Sequence, residues 1–172
     1  TLCFFTSIYS KGYVDGLVKI GQMDRGNKKL FYIAFNLLLI AATSAYFSNN
    51  LALFWIFAEL TTVFSAMLVV TLNAKKNIGA ALKYVFMAST SMLFTFIGII
   101  FIFALTEHVL GEGMLNWSEL MISAKSLSPT ILSASFVFLF IGFAAKSGIV
   151  PFHGWLPTVY AKAPSAISVI LS

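Results

Sequence analysis

Three ionisable side chains, Glu59, Lys83 and Lys146, stand inside stretches of sequence that are otherwise apolar. An unpaired charge at a bilayer centre costs on the order of 2.5–3.5 kcal/mol on insertion scales, so retaining three implies pairing or hydrated cavities. Glu59 is the only acid in those stretches and therefore the expected partner of a lysine. A lysine held between desolvation and the field of a carboxylate can exchange its proton when the partner moves. That is the chemistry of proton passage. His153, in the run PFHGWLP, is of a type that relays protons near neutral pH.

A plainer reading stands beside each. Glu59 can form a salt bridge that only packs helices, and Lys83 can snorkel to the membrane surface. His153 can satisfy backbone groups freed by the neighbouring prolines. Thr62, Ser65 and Ala66 continue a small, polar side of the helix carrying Glu59. Such a side either solvates a path or lets helices approach closely.

The stretch that must position Lys146 is FIGFAAKSGIVPFHGWLPTVYAKAPSAISVILS, Phe140 to Ser172. An apolar run breaks at Pro151 into a short aromatic piece and resumes as an apolar, helix-like segment after Pro164. A discontinuous helix is therefore expected around 146–157, of the kind that lines an ion path.

Composition fixes the class. The chain has 172 residues, 59% hydrophobic and 10% charged, with a mean hydropathy of +0.92. Soluble domains run near a quarter charged, so an all-α integral membrane protein, a polytopic helix bundle, is expected. The length allows about five spans of roughly 20 residues. The net charge of +5 belongs to basic residues clustered beside apolar spans, which excludes nucleic acid as the explanation. A single cysteine, Cys3, leaves no disulfide framework and no cysteine-bound iron–sulfur cluster. No phosphate loop, nucleophile triad or metal-ligand cluster is visible, so neither cofactor nor metal is expected, nor redox chemistry of the chain's own. Opening at Thr1 and stopping at Ser172 in an apolar run, the sequence reads as a piece of a longer protein.

Along the chain, residues 1–29 read as the end of a preceding span plus a connection that closes on Arg25, Lys28 and Lys29. Residues 30–172 read as a partial transmembrane domain. Spans are expected over Leu30–Phe47, Leu51–Leu72, about Gly79–Leu105, and Pro129–Val150. Ser48-Asn49-Asn50 forms a polar turn, Lys75 and Lys76 a short loop, and Thr106–Ser128 the longest connection, with His108 solvated. Trp55, Trp155 and the eighteen phenylalanines read as core and lipid-facing bulk. Alternation puts the basic connections 11–29 and 73–78, with Lys162, on one side. The positive-inside rule makes that side cytoplasmic, in a cell's inner membrane.

The runs LALFWIFAELTTVFSAMLVV, ALKYVFMASTSMLF, GFAAKSGIVPFHGWLP and APSAISVILS, in this order, resemble the antiporter-like proton-translocating membrane subunits. These occur in complex I, in Mrp-type cation/proton antiporters and in energy-converting hydrogenases. The resemblance covers about Phe31 to Ser172 and looks nearest the hydrogenase-4 component F type. It implies that Glu59 is the family's glutamate of the fifth transmembrane helix. Lys146 is then the central lysine of the discontinuous seventh helix, and Lys83 the lysine that opens the sixth. It implies a fold of about fourteen helices with two inverted five-helix repeats, of which this chain holds most of the first. Thr158 and Val159 depart from the family's usual acidic residue and alanine, and Ser172 matches the hydrogenase branch rather than complex I.

The resulting expectation is a proton-translocating subunit of a redox-driven membrane complex, partnered by other membrane subunits and the lipid bilayer. Lys146 carries the proton, Glu59 modulates it, Lys83 links the entry or bridges the pair, and His153 extends the route. The alternatives are an Mrp-type sodium/proton antiporter subunit and a structural subunit whose buried charges only pack helices.

Overall fold

A computed structural model describes residues 2–71, 74–161 and 163, with side chains from residue 5 onward except at 74–76 and 158. Regular structure among them is helical: α1 (Leu2–Lys19), α2 (Arg25–Phe47), α3 (Leu51–Thr71), α4 (Ala74–Leu110), α5 (Trp117–Ser123), α6 (Pro129–Lys146) and α7 (Leu156–Tyr160). Single 3₁₀ turns lie at Ala124–Ser126 and His153–Trp155. Spans that are apolar on all sides belong in hydrocarbon, where a helix satisfies its own backbone polar groups. Four segments are long and apolar enough to cross a bilayer: α2, α3, Asn77–Leu110 of α4, and α6. The chain is a polytopic all-α membrane protein.

It divides into two compact units. Thr1–Ala41, Leu60–Phe86 and Gly154–Ser172 form one, Ala42–Glu59 and Met87–His153 the other. The first is built on Val14 and Leu17 of α1 against Phe31, Phe35 and Leu38 of α2 and Leu68 of α3. In the same unit Trp155 is buried against Tyr84, ring centres 5.1 Å apart. At the α1–α2 corner Lys28 donates to Asp15, and Asn27 Nδ2 donates to the Thr71 carbonyl at 3.3 Å.

The second unit centres on Leu51, Ile99 and Ile102 with Trp55, Leu115 and Leu139 around them. Two asparagines close one end of it. Asn50 caps α3, its Oδ1 accepting from the backbone N–H of Ala52 at 3.0 Å and of Leu53 at 3.2 Å. Its Nδ2 donates to Asn116 Oδ1 at 3.0 Å. Backbone bonds from Leu51 N to Leu115 O (2.9 Å) and from Trp117 N to Asn49 O (2.8 Å) flank that pair. The Ser48–Asn50 turn is thereby fastened to the segment that enters α5.

Several expected boundaries move. The stretch from 11 onward is helical as far as Lys19, leaving residues 20–24 as the connection. Lys11, Asp15 and Lys19 alternate in sign at i, i+4 spacing, which supports a helix despite Gly12 and Gly16. Lys75 and Lys76 lie in the first turn of α4 rather than in a loop, and Glu107 and His108 in its last. Nothing between them breaks a helix, so α4 runs 37 residues. Leu72, Asn73, Lys162 and the segment after Pro164 lie outside the described residues.

The discontinuous helix is present, but it breaks earlier than Pro151. Helix α6 ends at Lys146, and Gly148 takes the left-handed conformation at φ +70°. Ile149 N donates to Ala144 O at 2.9 Å and Gly148 N to Ala145 O at 3.3 Å. This is a Schellman termination, which needs a residue at ease with positive φ where Gly148 stands. The glycine stops the helix before the proline is reached. Lys146 is thus its last residue rather than one followed by a further helical turn.

Candidate functional site

Glu59, Ser89 and Lys146 come from α3, α4 and α6 within the second unit. Three contacts set the registers that bring them together. Trp55 Nε1 donates to the Met92 carbonyl at 2.8 Å, tying α3 to α4. One turn on from Trp55 stands Glu59, and one turn back from Met92 stands Ser89. Phe54 and Phe143 meet edge to face with centres 5.6 Å apart, tying α3 to α6. One turn further along each stand Ala58 and Lys146. Gly142 ties α6 to α4: a Cβ there would lie 1.9 Å from Thr95 Oγ1 and 2.8 Å from the Ser91 carbonyl oxygen. Only glycine permits that approach.

The polar groups then meet in an apolar setting. Ser89 Oγ donates to Glu59 Oε2 at 3.0 Å. Glu59 Oε1 is buried and has no hydrogen-bond partner among the described residues. Lys146 Nζ donates to the carbonyl of Ala58 at 2.9 Å, one peptide short of Glu59. The ammonium thus sits against the residue that precedes Glu59 on α3. A charged group left with one bare oxygen in low dielectric is costly. The arrangement is therefore suited to accepting a proton, or a closer approach of the lysine, at Oε1.

Lys83 belongs to the first unit, where its side chain is exposed on α4 nine residues beyond Ala74. His153 is exposed in the 3₁₀ turn that follows the break. Thr62, Ser65 and Ala66 are buried in the first unit. Trp55, read from the sequence as bulk, is a hydrogen-bonding register pin. Ser89 was not among the expected site residues. Its signal was the hydroxyl run Ser89-Thr90-Ser91 in the middle of an apolar span, since such groups in hydrocarbon seek a partner on a neighbouring helix. Among the described residues no group of His, Cys, Asp and Glu is placed to hold a metal ion.

A polytopic bundle that keeps a half-buried acid near an amine at the end of an interrupted helix belongs to a class of membrane proteins that carry charge inside hydrocarbon. The chain belongs to the NADH:quinone oxidoreductase/Mrp antiporter transmembrane family, whose model matches residues 48–172. It is 27% identical to a hydrogenase-4 component F homolog of Methylacidiphilum infernorum over 98% of this chain and 36% of that protein. It is 28% identical to an Na(+)/H(+) antiporter subunit of Bacillus subtilis, over 92% of this chain and 31% of that one. With an NADH-quinone oxidoreductase subunit of Deinococcus radiodurans it shares 30% identity over 83% of this chain and 27% of the relative. Among solved structures it matches a chain of the membrane-bound sulfane sulfur reductase, an archaeal respiratory membrane complex. That match has a TM-score of 0.70 and 25% identity, and covers 80% of this chain and 27% of the other. The resemblance drawn from the sequence motifs holds, and the chain spans 36% or less of the length of each of these relatives.

Proposed function

We propose that the chain is part of a proton-translocating subunit of a redox-driven membrane complex, with Lys146 as proton carrier and Glu59 as its modulating partner. The observation that carries this reading is the half-satisfied Glu59 carboxylate beside an ammonium resting on the adjacent peptide. A shift of charge in a neighbouring subunit alters how closely the two approach, and with it the hold of Lys146 on its proton. Lys83, exposed on α4, is assigned to linking the cytoplasmic entry, and His153, exposed at the break, to extending the route laterally. Similarity to hydrogenase-4 and NADH-quinone oxidoreductase subunits supports a setting among other membrane subunits. The basic residues of 11–29 and those that open α4 favour a cytoplasmic location for that side, in the inner membrane.

The test is Lys146→Ala in the full-length protein, which should abolish redox-driven proton uptake into vesicles while the complex still assembles. Unchanged pumping overturns the role. Similarity to an Na(+)/H(+) antiporter subunit supports a second reading, sodium/proton exchange. Sodium-dependent pH changes in vesicles holding the parent complex identify it. Joint neutralisation of Glu59 and Lys146 separates both from a purely structural role: lost assembly marks packing, and lost transport with intact assembly marks conduction.

A further inference from the structure

The α1–α2 corner concentrates charge. Residues 11–29 carry five cations (Lys11, Lys19, Arg25, Lys28, Lys29) and two acids (Asp15, Asp24), net +3 of the chain's +5. Lys11, Asp15 and Lys19 follow one another at i, i+4 on α1 and so form a single stripe. Asp15 accepts a hydrogen bond from Lys28 across the corner, and the ammonium groups of Lys11 and Lys19 also act on it. One carboxylate is therefore ringed by three lysines and directly engages one. Lys11, Lys19, Arg25 and Lys29 are exposed.

Traced towards the N-terminus, the same stripe turns apolar. Ile8 stands one turn before Lys11, and Phe5 one turn before that, 62% and 64% exposed. Since the spanning helix α2 begins at Arg25, the corner lies where hydrocarbon gives way to headgroups. The stripe thus changes from apolar to cationic across that boundary. An inorganic phosphate matches only the cationic half. A zwitterionic lipid brings a positive charge of its own to the lysines.

We propose that the α1–α2 corner binds an anionic phospholipid. Lys11 and Lys19 hold its phosphate headgroup, Arg25 and Lys29 flank it, and an acyl chain lies along Ile8 and Phe5. Asp15 tempers the site by occupying Lys28.

The test uses the intact membrane protein, delipidated in detergent and titrated with phosphatidylglycerol or phosphatidylcholine, with bound lipid counted by native mass spectrometry. The wild type should retain one more phosphatidylglycerol than Lys11→Gln/Lys19→Gln. Each juxtamembrane cation is worth about fivefold in such binding, so the double variant should lose roughly twenty-five-fold in affinity at that site. Asp15→Asn, which releases Lys28, should bind phosphatidylglycerol about fivefold more tightly, a gain that a damaged fold does not produce. Equal retention by wild type and double variant, or equal binding of both lipids, overturns the proposal. Displacement of the lipid by millimolar inorganic phosphate also overturns it, in favour of a soluble-anion site.

Discussion

Lys146 Nζ rests on the carbonyl oxygen of Ala58 at 2.9 Å, so the ammonium is held at the peptide that leads into Glu59. The carbonyl is a neutral acceptor, and leaving it exchanges one hydrogen bond for another. The carboxylate meanwhile keeps one buried oxygen without a hydrogen bond among the described residues. Two acceptors of unequal strength thus stand a residue apart on α3.

Ser89 supports the hydrogen-bonded oxygen of that carboxylate. Ser89→Ala should cost about 1–3 kcal/mol at the site by leaving a buried acceptor bare. Proton uptake by vesicles should slow roughly tenfold or more while subunit content on blue-native gels stays normal. Ser89→Thr, which keeps the hydroxyl, should restore most of the rate. Uptake unaffected by the alanine would remove Ser89 from the pathway.

Gly142 sets the spacing of α4 and α6, because the first atom of any side chain would collide with Thr95 and with the backbone at Ser91. Gly142→Ala should destabilise the folded protein by about 1–3 kcal/mol as the helices are forced apart. The thermal midpoint in detergent reads this. Because Lys146 stands one turn away, transport should fall more steeply than stability. A midpoint within error of wild type would mean that the helices separate freely.

Asn50 joins two tasks, capping α3 and pairing with Asn116. Asn50→Ala should lose about 0.5–2 kcal/mol and loosen the segment entering α5. Limited proteolysis should then cut between residues 111 and 116 several-fold faster. Asn116→Ala should reproduce the faster cutting while sparing the cap. Identical cleavage of all three proteins would show that the clasp bears no strain in solution.

The Asp15 carboxyl is held below the usual carboxylate range by the hydrogen bond from Lys28, reinforced by the surrounding lysines. A lowered acid contributes stability that is present above its unfolded value near 4 and is lost as pH falls through the folded value. The unfolding midpoint should therefore hold steady from neutral pH down to about 5 and decline below about 4. Asp15→Asn should flatten the part of that decline due to this pair. Both side chains are half-exposed, so the effect is small and salt weakens it.

The spans, the polar turn at Ser48–Asn50 and the interruption beyond Lys146 were legible because each is written in local composition: apolar runs, paired asparagines, clustered prolines. The point of interruption was not. Pro151 is the louder signal, but Gly148 acts first by completing the hydrogen bonds of a helix end. The full lengths of α1 and α4 were hidden because charges near a span look like a loop, although lysine and glutamate extend helices readily. Glu59 and Lys146 stood out as charges in oil, yet nothing local says that Ser89 faces the acid. That depends on helix rotation, set here by Trp55, Phe143 and Gly142, and periodicity is mute in helices apolar on every side.

The asparagine clasp has a mechanical corollary. It fastens the second unit at the rim where α6 is about to begin, while the left-handed glycine lies roughly 27 Å away along that helix, at 1.5 Å per residue. A bundle stapled at one rim and jointed at the other has a single soft end.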